Sequence, residues 1–430
     1  MEQEQKEKEN EIQNQENDQN HGSESGSFIK GLFCGVLLVL ICMAGMLFCA
    51  RWKITKLQSG TISSETSEKL DLNLGQVKHK TGEIEALINA YYLDEIDGQQ
   101  VEDTMYTGMV AGLDDPYSVY YSKEELESME EATAGEYSGI GATLSQDPET
   151  KEISVVSCFT GTPAEEAGLL PGDVITGWNG SPVSDMELSE LVSKIKTDPD
   201  EHLTLSIERD GEELEVELTR RAVEIPTVEY EMLEDQIGYI RLLEFDEVTA
   251  QQFEDAMADL EIQGMEKLII DVRNNPGGVL QTVCDMLDQL LPEGMIVYTE
   301  DKNGKRKEYT SDGEHQFTKP LAVLVNGNSA SASEIFAGAV QDYGIGTIVG
   351  MTTFGKGIVQ KIFYLSDGTG LKLTVAKYYT PKGHDIHKKG IGPDVEVELD
   401  EVLQNQSSIS HEEDNQLQKA ISVLQEQTQE

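Results

Sequence analysis

Leu321-Ala322-Val323-Leu324-Val325-Asn326-Gly327-Asn328-Ser329-Ala330-Ser331-Ala332-Ser333-Glu334-Ile335-Phe336 passes from an unbroken apolar run, through turn residues, into a helical pattern. The apolar run reads as a buried strand and Asn326-Gly327-Asn328 as the turn. The stretch from Ser331 to Gln341 reads as a helix, with Ile335, Phe336, Ala339 and Val340 at helical spacing. Ser331 falls at the helix start, where unpaired backbone N–H groups and the positive end of the helix dipole favour developing negative charge. Ala330 and Ala332 leave room there for a substrate backbone.

A serine hydroxyl is a poor nucleophile at neutral pH and needs a base within hydrogen-bond reach. Twenty-five residues past Ser331 stands Lys356, within Thr353-Phe354-Gly355-Lys356-Gly357, and Gln360 follows four further on. Lysine acts as a base only when neutral, and burial among Phe354, Gly355, Gly357 and Ile358 lowers its pKa in that direction. Phe354 to Phe363 reads as a strand, so Lys356, Ile358 and Gln360 share one face and Gln360 can hold the amine. Serines that precede a helix are more often N-caps than nucleophiles. Ser329 and Ser333 compete with Ser331, and local chemistry does not choose among the three.

Leu268-Ile269-Ile270-Asp271-Val272-Arg273-Asn274-Asn275-Pro276-Gly277-Gly278-Val279-Leu280 is a second buried strand, ending in a glycine turn that opens a helix. Backbone N–H groups in such a turn can face an anion, although an ordinary connection has the same pattern. Arg273 and Asn275 read as braces of the turn.

These segments together resemble the C-terminal processing peptidases, also called tail-specific proteases: serine endopeptidases with a Ser-Lys dyad and an inserted PDZ domain. The resemblance implies that Ser331 is the nucleophile, Lys356 the general base and Gln360 its support. It also implies an oxyanion hole formed by Gly277, Gly278 and the amide of Ala332. Asp342 matches an acidic position of the family, but a continuous helix rising about 1.5 Å per residue puts it roughly 16 Å from Ser331, so it reads as structural. Upstream, Tyr137-Ser138-Gly139-Ile140-Gly141-Ala142 and Thr162-Pro163-Ala164-Glu165-Glu166-Ala167-Gly168-Leu169-Leu170-Pro171-Gly172-Asp173 resemble a PDZ domain over 133–220. Amides of the loop at Ser138, Gly139, Ile140 and Gly141 would then bind a peptide's terminal carboxylate while the peptide adds as a strand. The flanking helix is expected from about Asp185 to Lys196. Tyr379 to His387 resembles the family's closing strand, with His384 where an arginine is commoner. His384 and His387 on a strand point to opposite faces, which disfavours a metal site.

The expected fold is therefore an α/β (α+β) protease core, 221–400, with an inserted PDZ domain, a small β-barrel or sandwich with two helices. A helical region, 76–132, precedes it, and a polar tail, 401–430, follows. The resemblance covers about 76–400. The chain of 430 residues, 38% hydrophobic, carries a formal charge of −48, a field that repels phosphate backbones and argues against nucleic-acid binding. Residues 1–27 read as a disordered acidic tail and 51–75 as a stalk. Phe28 to Ala50, interrupted only by Lys30, is long enough to cross a bilayer once and reads as an uncleaved signal anchor. Arg51, Lys53 and Lys56 follow it, against the usual orientation for an outward-facing enzyme, whereas the family resemblance places the catalytic part outside the cytoplasm. Cys158 and Cys284 read as free buried thiols. The expected partners are proteins with free, apolar or unstructured C-termini, the membrane through one helix, and a second copy in a homo-oligomer. No cofactor or metal is called for. A non-catalytic PDZ peptide-binding scaffold is the alternative, against which intact Ser331, Lys356 and Gln360 argue.

Overall fold

The computed structural model describes residues 70–197, 202–404, 406 and 409–427. The tail expected over 1–27, the anchor expected over 28–50 and residues 51–69 of the expected 51–75 stalk lie outside these residues. No helix among the described residues is long and apolar enough to cross a membrane. The chain divides into two units, Met1–Glu95 and Ile96–Glu430. Within the first, helix α1 (Leu74–Tyr91) starts at Asn73, whose side chain accepts from the Gln76 N–H at 3.1 Å.

The second unit opens with α2 (Gly98–Ala111), capped by the Asp97 carboxylate, and turns through Leu113 to Tyr117 into β1 (Val119–Tyr121). Helix α3 (Lys123–Ala134) begins at a Ser122/Glu125 capping box and stops at Gly135, whose φ of 70° needs no Cβ penalty to be met. From there β2 (Glu136–Gly139) leads into β3 (Ala142–Gln146), β4 (Ile153–Cys158), the short α4 (Pro163–Glu166), β5 (Val174–Trp178) and β6 (Ser181–Pro182). Helix α5 (Leu188–Thr197), β7 (His202–Arg209), β8 (Glu212–Thr219) and β9 (Arg221–Glu224) complete this part. Its sheet runs β3-β4-β5-β7-β8, with β6 on β5, and β9 returns to pair with β2. Ile153, Val155, Leu191, Ile195, Leu205 and Ile207 fill its core. Helix α5 starts three residues later than the expected Asp185, and its apolar stripe mostly faces that core.

The remainder contains β10 (Val228–Leu233), β11 (Ile237–Leu242), α6 (Thr249–Ile262), β12 (Lys267–Asp271), α7 (Leu280–Asp288), β13 (Gly294–Asp301) and β14 (Arg306–Ser311). It continues with β15 (Leu321–Val325), α8 (Ala332–Tyr343), β16 (Thr347–Gly350), β17 (Ile358–Tyr364), β18 (Gly370–Tyr379), β19 (Val395–Glu396) and α9 (Asn415–Gln427). Strands β10-β11-β12-β15-β16-β19 form one sheet, parallel from β11 onward with β10 as an antiparallel edge. Every residue of β12 and β15 is buried, as befits strands covered on both faces. Leu268, Ile270 and Val323 face the layer of α6, α7 and α8, while Ile269, Ala322 and Leu324 face α9. A second sheet runs β1-β18-β13-β14, with β17 on β18.

Several expectations change. The polar tail over 401–430 contains α9, whose Leu417, Ala420 and Leu424 are fully buried at a spacing of three and four. Its apolar stripe is narrow and separated by Gln, Lys and Ser, so composition hid an amphipathic helix. Arg273 does not brace the glycine turn; its guanidinium pairs with Asp271 and, at 2.8 Å, with Asp414 just ahead of α9. The strand expected from Phe354 begins only at Ile358, with a bulge between Val359 and Gln360. Gly355 takes φ 90°, and a Cβ on Gly357 would lie 2.5 Å from the His387 backbone nitrogen. His384 and His387 lie in the turn after β18 rather than on a strand.

Candidate active site

The three competing serines have different surroundings. Ser329 is fully buried; its hydroxyl donates to the Val272 carbonyl at 2.8 Å and accepts from Asn326 N–H. Ser333 is equally buried and donates to the Asn275 carbonyl at 2.9 Å. Ser331 alone of the three is partly exposed, at the N-cap of α8 with φ 55° and ψ −113°. A non-glycine residue held on left-handed backbone at a strand-to-helix turn is strained, and such strain is characteristic of nucleophile turns.

Glu334 joins this serine to the lysine. Its carboxylate is completely buried and accepts from Ser331 N–H (2.9 Å), Thr353 Oγ1 (2.6 Å), Gly355 N–H (2.8 Å) and Lys356 N–H (2.8 Å). Thr353 Oγ1 in turn accepts from Ile391 N–H at 2.7 Å. From β18, the buried Tyr378 hydroxyl reaches the carbonyls of Ser331, at 3.0 Å, and Lys356. Burial raises the Tyr378 pKa well above the ordinary phenol value, so it remains a donor. The Ser331 and Lys356 segments are thereby fixed to each other through one acid and one phenol.

Burial lowers the Lys356 pKa, and the like charge of Lys372 adds to the effect, while Glu334 and Asp115 oppose it. Its amine is not hydrogen-bonded to Ser331 here; it lies over the Tyr117 ring, 4.7 Å from the centroid. Gln360 donates to Thr374 Oγ1 at 3.4 Å rather than to the lysine. The early start expected for β17 had put Lys356 and Gln360 on one face; the irregular segment and the bulge remove that register.

The glycine turn lies against the serine. A Cβ on Gly277 would come within 2.7 Å of Ser331 Cβ and 2.9 Å of Ala332 N, and one on Gly278 within 2.3 Å of the Phe245 carbonyl. The Gly277 N–H is already donated to Asn275 Oδ1 at 2.8 Å, and Asn275 Nδ2 holds the Leu242 carbonyl. Asn275 thus braces the turn as expected. The bridge to Phe245 uses the Gly277 carbonyl and the Val279 N–H, leaving the Gly278 N–H outside it. Asp342 accepts from Lys382 N–H at 2.8 Å and lies 3.6 Å from His384 Nε2, tying the end of α8 to the turn after β18.

In the smaller sheet, Ser138 and Gly139 belong to β2 and pair with Ala222 and Arg221, while Ile140 and Gly141 form the turn into β3. The Ile140 carbonyl accepts from Ala164 N–H, and the Gly141 carbonyl from Phe159 N–H and Thr162 Oγ1. Glu334, Thr353, Tyr378 and Tyr117 had no functional reading from sequence. Glu334 was visible as the acidic third residue of a Ser-x-x-Glu capping box, but the other three come close only through the fold.

Family models match three parts of the chain: "Activating protease CtpB N-terminal domain" over 39–125, "PDZ domain" over 138–219 and "Peptidase family S41" over 236–397. The carboxyl-terminal-processing protease of Synechocystis sp. is 38% identical over 362 residues, 79% of this chain and 84% of that protein. The chain belongs to peptidase family S41, among the carboxyl-terminal-processing proteases. The carboxy-terminal processing protease CtpA of Bacillus subtilis is 37% identical to this S41 chain, covering 76% of this chain and 72% of its own. Among solved structures, a photosystem II D1 C-terminal processing protease is 32% identical, covering 75% of this chain and 87% of its own with a TM-score of 0.44. This S41 protein is accordingly a serine peptidase, a hydrolase with a PDZ domain beside its catalytic core.

Proposed function

We propose that this S41 peptidase cleaves proteins presented by their C-terminal tails, with Ser331 as nucleophile and Lys356 as general base. One observation carries the reading: the buried Glu334 carboxylate holds the backbone N–H groups of both Ser331 and Lys356. A fixed relation between nucleophile and base is what converts their encounter into an intramolecular step. In this mechanism the neutral Lys356 amine turns from Tyr117 to Ser331 and takes its proton as the oxygen attacks the scissile carbonyl. The N–H groups of Gly278 and Ala332 hold the oxyanion, and Gly277 gives the space in which they do so. The lysine returns the proton to the leaving amine, and water then releases the acyl-enzyme. Gln360 acts through Thr374, its partner on β18 in the sheet beside the base.

Substrate capture belongs to the PDZ domain. The turn at Ile140 and Gly141 binds the terminal carboxylate, β2 residues Ser138 and Gly139 fix that turn, and the tail adds alongside β3. Residues 28–50 tether the enzyme to the membrane by one helix, with the catalytic part outside the cytoplasm; accessibility of that part to added protease in intact cells tests the orientation. The central test is cleavage of an unfolded protein with an apolar C-terminus by the full-length enzyme in detergent. Ser331→Ala and Lys356→Ala are expected to lose cleavage while keeping their melting temperature. Cleavage surviving in Ser331→Ala moves the nucleophile elsewhere, and an inactive wild type with intact tail binding favours the peptide-binding scaffold.

A further inference from the structure

The Lys356 amine rests on a residue supplied from far upstream. Tyr117 follows α2 and precedes β1, and Asp115 fixes its backbone: Oδ1 accepts from Tyr117 N–H at 3.1 Å and Oδ2 from Ser118 Oγ at 2.6 Å. Ser118 is buried, and its Oγ also accepts from the Thr374 N–H of β18 at 3.2 Å. Strand β1 then pairs with the same strand, Val119 opposite Lys372. The Tyr117 ring is therefore attached to the sheet that the Lys356 segment leads into rather than hanging on a free loop, and its centroid lies 4.7 Å from Lys356 Nζ.

An aromatic face attracts an ammonium and has little attraction for a neutral amine. The contact thus exists before the lysine loses its proton and weakens when it becomes a base. We propose that Tyr117 is a positioning residue for the general base, its ring holding the Lys356 ammonium away from Ser331 and releasing the amine once neutral. The proposal rests on the Ser-Lys reading above. The charged groups facing Lys356 are Lys372 on β18, which disfavours the ammonium, and Glu334 on α8 and Asp115 ahead of β1, which favour it, all against the cost of burial. Tyr117 adds to the side of the ammonium, so removing its ring frees the amine at lower pH.

The test compares full-length wild type, Tyr117→Leu and Tyr117→Phe in detergent. The first measurement is the pH dependence of kcat/KM on a quenched-fluorescence, unstructured peptide with an apolar C-terminus. The second, in a Ser331→Ala background, is trace acetylation by acetic anhydride across pH, quantified at Lys356 by mass spectrometry, because only the neutral amine reacts. On the acid limb, Tyr117→Leu is expected to make Lys356 about threefold more reactive at a given pH, and Tyr117→Phe to keep the wild-type titration. Superposable titrations for Leu and wild type overturn the proposal, and so does a Phe variant that moves as far as Leu. Tyr117→Met replaces Leu should that variant fail to fold. Failure of the dyad reading shows separately, as cleavage surviving in Ser331→Ala, while the acetylation still reports on Tyr117.

Discussion

At the scale of residues, Ser329 and Ser333 give their hydroxyls to buried carbonyls while Ser331 between them sits on strained backbone at a helix start. Sequence showed three equivalent candidates because the two carbonyls that distinguish them, of Val272 and Asn275, belong to a distant strand and turn. Glu334 makes a sharper prediction. Glu334→Ala leaves four donors without their acceptor and is expected to cost about 2–4 kcal/mol of stability. It is also expected to lower kcat by about 100-fold with KM nearly unchanged, since it loosens reacting groups rather than substrate contacts. Urea unfolding and steady-state kinetics measure the two. The Lys356 pKa lies below that of ordinary lysine partly because Lys372 repels the ammonium. Lys372→Met is therefore expected to raise it and move the acid limb of kcat/KM to higher pH; an unmoved limb would show that Lys372 does not act on the base.

At the scale of elements, the strongly apolar strands β12 and β15 and helix α8 were legible because burial on every side leaves an apolar run of the right length. Helix α9 and the segment from Phe354 to Gly357 were not. The first has a narrow stripe under polar composition, and the second is shaped by backbone contacts of Gly355 and Gly357 that no periodicity encodes. Deleting residues 401–430 exposes Ile269, Ala322, Leu324 and Val349. At about 1.5–3 kcal/mol for each large buried side chain lost from Leu417, Val423 and Leu424, the deletion is expected to abolish the cooperative unfolding transition seen by calorimetry. The connection from β11 to α6 carries Asp246, packed against Gly135 where the chain enters the PDZ part. Burial, aided by Glu244, raises its pKa to about 6. Folding disfavours its charged form, so this group makes the protein less stable as pH rises from about 4, the unfolded value, to about 6. Asp246→Asn is expected to stabilise by about 2 kcal/mol at pH 7.5 and to have no effect near pH 3.5, read from melting temperatures at both.

At the scale of the whole molecule, the order of the PDZ domain and the peptidase core along the chain was legible from motifs. What sequence did not disclose is which distant segments meet, as Asp115 and Tyr117 do with Lys356. Such meetings depend on β1 joining the far edge of β18. The net charge predicts how substrates are chosen in solution. An acidic unfolded substrate is expected to show kcat/KM rising with added salt and a basic one of the same tail falling, because screening removes repulsion in one and attraction in the other. Equal salt responses in parallel assays would rule out steering by the overall field.

The shared carboxylate of Glu334 also sets what has to move if Ser331 and Lys356 form the dyad. With the backbone N–H groups of Ser331 and Lys356 both held by one carboxylate oxygen, Glu334 Oε2, the proposed base approaches the proposed nucleophile through the torsions of its own side chain. In the proposed dyad, engaged and disengaged arrangements then differ by the position of a single amine.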